Sequence, residues 1–179
     1  MSVHAVPSPI DPGEGTAARS RTHTWSDPLA AAQDGLRRTG LEHLRGIALG
    51  ELAPPPIAET LGLELLEVEP GRVVFGLPAH EFLFNPIGSV HGGALATLID
   101  SAASCAVHSV LDAGVAYATT DLHVTYVRAF GAGARRATCT GELLHAGRRL
   151  ATASARVLDD EGRLLAHGTV TCAVLAPVG

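Results

Sequence analysis

From Tyr117 onward, apolar and polar positions alternate in four runs. Leu122, Val124 and Tyr126 stand against Asp121, His123 and Thr125. Ala137, Cys139, Gly141 and Leu143 stand against Thr138, Thr140 and Glu142. Ala151, Ala153, Ala155 and Val157 stand against Thr152, Ser154 and Arg156, and the last run carries Ala166, Gly168, Val170, Cys172 and Val174. A period of two places successive side chains on opposite faces, so each run predicts an antiparallel strand with one packed face. The predicted strands cover 117–128, 136–144, 149–158 and 164–175. Gly131-Ala132-Gly133, Ala146-Gly147 and Asp159-Asp160-Glu161-Gly162 supply the turns between them.

Upstream the period changes. Residues 93–111 are apolar nearly all round and end at Asp112-Ala113-Gly114, which predicts a long helix buried on most sides. Its polar residues Thr97, Asp100, Ser101, Ser104 and His108 follow helical spacing and form a narrow stripe, suited to line a site or an interface with another copy of the chain. Two shorter strands are predicted at 63–68 and 72–77 around Pro70-Gly71, and 78–89 reads as a loop. Residues 28–52 have a helical pattern, with Leu41, Leu44, Ile47 and Ala48 on one stripe and Gly40 and Gly50 bracketing it. Pro54-Pro55-Pro56 then predicts an extended stretch. Residues 1–27, rich in Ser, Thr, Pro, Gly, Ala and Arg without apolar periodicity, read as a flexible tail. The order of strand, strand, long helix and four strands predicts an α+β fold, with one helix set against a curled antiparallel sheet.

Composition narrows the function classes. The chain has 179 residues, room for one domain and a tail, and 46% of them are hydrophobic, enough for a sizeable core. A net charge of -5 without a basic stripe argues against a nucleic-acid partner. No uninterrupted apolar stretch of about 18 residues exists, which argues against a membrane span, and no basic start followed by an apolar run suggests a secretory leader. Cys105, Cys139 and Cys172 are scattered without a Cys-x-x-Cys pair, as expected of reduced thiols in the cytoplasm. The histidines His91, His108 and His123 have no ligand-spaced partners, so no metal is expected. Ser89, Ser101 and Ser104 lack the Gly-x-Ser-x-Gly setting of a serine hydrolase.

The chemistry concentrates in Asn85-Pro86-Ile87-Gly88-Ser89-Val90-His91-Gly92-Gly93 and in Asp100 behind it. A helix that begins at a Gly-Gly pair presents unpartnered N–H groups with partial positive charge, a place to hold an oxyanion. About two turns later stands an acid among apolar residues, costly unless it is partnered or used. A structural pairing, with Ser104 one turn on, is the plain alternative for Asp100. For the Gly-Gly pair it is tight helix–sheet packing.

With these offsets and this strand order, the segment from about Pro55 to Leu175 resembles the hotdog-fold acyl-CoA thioesterases of the phenylacetate-pathway (PaaI-like) type. Thr119-Thr120-Asp121-Leu122-His123-Val124-Thr125-Tyr126 resembles that family's next strand, and Gly147-Arg148-Arg149 and Asp159-x-x-Gly162 its later turns. Many relatives carry a Pro where this chain has Ala129. The resemblance implies a hotdog domain over 55–179, with 28–54 as a helical extension. It implies Asp100 as nucleophile or general base, the Gly92 N–H polarising the thioester carbonyl, Asn85 positioning the carbonyl or water, Thr119 orienting that water, and His91 supporting the loop. Gly93, Ser104, Arg128 and Arg148 are the candidates for contacting substrate or coenzyme A, which is part of the substrate rather than a cofactor. It also implies homodimers with shared active sites, often paired again as homotetramers. The alternatives are a hotdog-fold enoyl-CoA hydratase or dehydratase, which would pair the acid with a histidine, and a non-catalytic acyl-CoA-binding module. Small residues Ala94, Ala102, Ala103 and Ala106 leave room for a sizeable acyl group or serve close helix–sheet packing.

Overall fold

The alternating runs build one antiparallel sheet. In a computed structural model that describes residues 18–131 and 133–175, strands β1 (Glu64–Glu69), β2 (Arg72–Pro78), β3 (Ala116–Tyr126), β4 (Arg136–Ala146), β5 (Leu150–Asp159) and β6 (Leu164–Leu175) pair in the order β1-β2-β4-β5-β6-β3. The long helix, α4 (Gly92–His108), is laid across this sheet and packs against β2, β3, β4, β5 and β6. This is the hotdog architecture. Leu98, Ile99, Ala102, Ala103, Ala106 and Val107 of α4 are fully buried, against Val73, Leu77, Cys139, Val157 and Val170 of the sheet. The alanines therefore serve close packing: the small side chains let helix and sheet backbones approach, and none of them lines the cavity beside Asp100.

The edge strand β3 differs from the rest of the sheet. None of its residues is fully buried, whereas β2 and β5 alternate or run buried. A bulge between Thr119 and Asp121 shifts its phase. The bulge puts Tyr117 and Thr119, of odd number, on the same face as Leu122, Val124 and Tyr126, of even number.

The N-terminal elements depart from expectation in two places. The single helical pattern over 28–52 is two helices, α1 (Pro28–Leu36) and α2 (Gly40–Ala48). Thr39 starts α2 with a capping box: its hydroxyl oxygen accepts from the Glu42 N–H, and the Glu42 carboxylate accepts from the Thr39 N–H at 2.9 Å. The proline run is not extended throughout. Pro56 opens a short helix, α3 (Pro56–Leu61), because the first helical position needs no N–H and suits proline's fixed φ. Of the segment read as a tail, 1–17 lie outside the described residues. In 18–27, which form neither helix nor strand before α1, Arg21 donates to the Thr60 and Glu59 carbonyls and stands over the Phe82 ring at 3.8 Å.

Candidate active site

The loop before α4 is tied to itself. The Asn85 side-chain carbonyl accepts from the Ile87 and Ser89 N–H groups at 3.0 and 3.2 Å, and its amide donates to the Ser89 hydroxyl at 2.9 Å. Gly88 takes φ 79° at the tip, a left-handed conformation that side chains resist. The segment after β3 closes the loop from the other side. Val127 and Arg128 both donate to the Leu165 carbonyl, Phe130 is buried, and the Val90 N–H donates to the Phe130 carbonyl at 2.9 Å. The chain past Arg128 thus turns back to brace the loop with Ala129 in place of a proline.

At the end of the loop His91 caps α4. Its Nδ1 accepts from the Gly93 N–H at 2.9 Å. Gly93 is therefore occupied by the cap, and Gly92 is the first helical residue. The Gly92 N–H meets no acceptor among the described residues. The Tyr126 hydroxyl donates to the Gly92 carbonyl at 2.8 Å, and a Cβ on Gly92 would stand 3.1 Å from the Tyr126 ring. A glycine here lets Tyr126 lie against the helix start and leaves a positively polarised N–H available.

Eight residues on, Asp100 is half-buried. Thr119 Oγ1 donates to its Oδ1 at 2.9 Å, which the β3 bulge makes possible by turning Thr119 toward α4. Its partner is thus Thr119 and not Ser104. Asp100 forms no ion pair among the described residues. Gly92 and Asp100 lie about 12 Å apart along the helix axis. One carbonyl group cannot touch both within a single chain.

Asp100 borders a cavity of about 760 Å³ that the polar stripe of α4 lines with Ser101, Ser104 and His108. At its far end His43 Nδ1 and His108 Nε2 are 3.2 Å apart, and Tyr117 lies 5.1 Å from the His108 ring. Burial dominates the electrostatics there. It pushes His108 down to about 4, His43 downward, the Cys105 thiol up to about 12 and the Tyr117 phenol well up, so these groups are neutral near pH 7. The sequence leaves the N-terminal helical extension either to cap the hotdog or to extend the substrate channel, and α2 places His43 in this wall.

The remaining candidates are dispersed. Ser104 is buried beside the cavity. Arg128 and Arg148 are both exposed but lie at opposite ends of the sheet. Tyr126 pairs with Ala166 and Leu150 with Ala173, which separates the two arginines by about 23 Å along the strands. Within one chain they cannot grip one phosphate group. Among the described residues, no group of three or more His, Cys, Asp or Glu is placed to hold a metal ion, and no helix is long and apolar enough to cross a membrane.

The chain matches the family model described as the thioesterase superfamily over residues 87–166. It is 27% identical over 118 residues to the 1,4-dihydroxy-2-naphthoyl-CoA hydrolase of Listeria monocytogenes, covering 66% of this chain and 94% of that protein. It is 30% identical over 103 residues to the proofreading thioesterase EntH of Klebsiella pneumoniae, covering 58% of this chain and 74% of that protein. The E. coli PaaI protein of the phenylacetic acid degradation operon superposes with a TM-score of 0.66 at 21% identity over 76% of this chain and 97% of that one, a likeness of fold. With the fold, the helix-start loop and these relatives in agreement, the chain belongs to the thioesterase superfamily and is a thioester hydrolase on a hotdog fold.

Proposed function

We propose that the chain hydrolyses acyl-CoA thioesters to free acid and coenzyme A, with Asp100 as the catalytic carboxylate. The observation that carries this reading is the setting of Asp100: an acid at the edge of a large cavity, oriented by Thr119 and not neutralised by an ion pair. The Asp100 carboxylate either attacks the thioester carbonyl carbon or removes a proton from a water that attacks it. The carbonyl oxygen gains negative charge, and the Gly92 N–H at a helix start is the donor that stabilises it. The carbon–sulfur bond then breaks, and coenzyme A leaves as a thiolate that takes up a proton; where Asp100 itself attacked, water then cleaves the acyl–Asp100 anhydride, releasing the free acid and restoring the carboxylate.

The separation of Asp100 and Gly92 makes the site a property of two copies. The N-terminal end of α4 lies beside Tyr126 and its C-terminal end beside Tyr117, so α4 runs antiparallel to β3. Antiparallel pairing of β3 with the β3 of a second copy would carry that copy's Gly92 toward this copy's Asp100. The exposed edge supports such pairing, with Leu122 38%, Tyr126 51% and Val127 54% exposed along and just beyond β3. Asn85 and His91 then act as positioning residues that fix the Gly92 N–H, since their side chains are engaged within the loop. The Asp–His pair required by the hydratase alternative is absent among the described residues; on α4 the nearest histidine toward its C-terminus is two turns beyond Asp100.

The test is free-thiol release from a panel of acyl-CoAs by the wild type and by Asp100→Asn. Release by the wild type and its loss in Asp100→Asn are expected. A wild type inert toward every acyl-CoA overturns the hydrolase reading, and equal turnover by the variant overturns the role of Asp100.

A further inference from the structure

The cavity beside Asp100 is walled mostly by elements outside the family match. Residues 87–166 carry that match, whereas α1, α2, the proline run and α3 supply Leu36, His43, Ile47, Pro54, Ile57 and other lining residues. The opposite wall is the polar stripe of α4, with Leu65 of β1, Phe75 of β2 and Tyr117 of β3.

We infer that residues 28–58 form the wall of an acyl chamber within one subunit, so that the N-terminal helices set which acyl group the enzyme accepts. This deepens the reading of Asp100 as the acid of an acyl-thioester hydrolase and rests on it. The occupant is a bulky apolar acyl body, as a medium-length chain or a ring. Three observations select it. The chamber holds about 760 Å³ and reaches from Asp100 to His108, about 12 Å along α4, more than a short acyl group fills. Among the described residues no Arg or Lys lines it and its only carboxylates are Glu64 and Asp100, so the phosphates of coenzyme A do not belong in it. Its histidines are held neutral by burial, which suits an uncharged guest.

The wall is docked and not merely draped. The Gly114 N–H donates to the Leu36 carbonyl at 2.8 Å, and the Gly40 N–H donates to the Leu111 carbonyl at 3.0 Å. A Cβ on Gly40 would overlap the His108 carbonyl, so α2 seats backbone to backbone on the end of α4. The contact between His43 and His108 joins the same two helices across the chamber end.

Ile47 is half-buried in the wall and reports on the chamber from either direction. Thiol release is measured for acetyl-, decanoyl- and benzoyl-CoA with the wild type, Ile47→Trp, Ile47→Ala and a control, Leu49→Trp, whose position is 73% exposed and outside the chamber. Binding of decanoate and benzoate is measured by calorimetry on the same proteins. Ile47→Trp is expected to lower the kcat/KM ratio of the bulkier group over acetyl about tenfold or more and to weaken the matching acid comparably. Ile47→Ala is expected to move the ratio the other way, and Leu49→Trp to leave it in place. The larger drop, decanoyl or benzoyl, assigns chain or ring. Thiol release with an unchanged ratio and unchanged acid binding in both Ile47 variants overturns the chamber and leaves hydrolysis standing. No thiol release from any thioester, with acid binding still weakened by Ile47→Trp, overturns hydrolysis and keeps the chamber.

Discussion

The two ends of α4 are built on opposite physical terms. At its N-terminus a polar loop, a cap and a glycine leave one polarised N–H open, with Tyr126 half-exposed beside it. At its C-terminus His108 is enclosed by α2 and Tyr117 and held neutral. One end presents an open donor, and the other a mostly apolar wall with neutral histidines. Asp100 stands between them, within reach of the chamber but a full helix half away from the donor. The lesson is that a single protomer holds the acid and the helix-start donor of the proposed site about 12 Å apart, without bringing them together.

The largest expected effect comes from the acid itself. Asp100→Asn should lower kcat by about 1000-fold while leaving the melting temperature at or above that of the wild type, because no ion pair is lost. A fall in both would return Asp100 to a structural role. Next is the donor end. Gly92→Pro removes the N–H yet keeps a residue suited to the first helical position, and should cost about 100-fold or more in kcat. Gly92→Ala, which brings a Cβ against the Tyr126 ring but keeps the N–H, should cost much less. Equal losses in the two would show that the contact matters and the N–H does not.

The enclosed end should show itself in stability. His108 is pushed down to about 4 from its ordinary value near 6.5. Below that ordinary value the unfolded chain binds a proton that the buried ring resists, so stability falls as pH drops toward 4. Urea unfolding should lose on the order of 2 kcal/mol from this group between about pH 7 and pH 4.5, and His108→Leu should flatten the curve by that amount. Smallest is the cap of α2: Thr39→Ala should destabilise by about 1 kcal/mol, read as a lower melting temperature, with the selectivity of the chamber blurred and the effect of Asp100→Asn unchanged.

The sheet, the long helix and the helix-start loop were legible because each rests on a local rule. Alternation gives strands, all-round apolarity gives a buried helix, and His-Gly-Gly gives a helix start. What escaped depends on contacts far apart in sequence or on one inserted residue. Strict alternation puts Thr119 with Asp121, His123 and Thr125, facing away from α4, and only the bulge turns it onto Asp100. No spacing pairs His43 with His108, which meet because α2 folds back on the end of α4. Pro56 was misread because proline both blocks a helix interior and favours a helix start. The Thr39-x-x-Glu42 box was present in the sequence and would have divided α1 from α2. The placement of Arg128 and Arg148 at opposite ends of the sheet likewise follows from strand pairing, which no local spacing shows.

Mixing two inactive variants tests the shared site most directly. Asp100→Asn and Gly92→Pro are purified separately, then unfolded together and refolded, and thiol release is compared with that of each alone. If the acid of one copy works with the N–H of the other, half the dimers are mixed and each mixed dimer carries one intact site, so about a quarter of wild-type turnover returns. If turnover in the mixture stays at the level of the two variants alone, although mixed dimers have formed, the acid and the donor do not act across two copies.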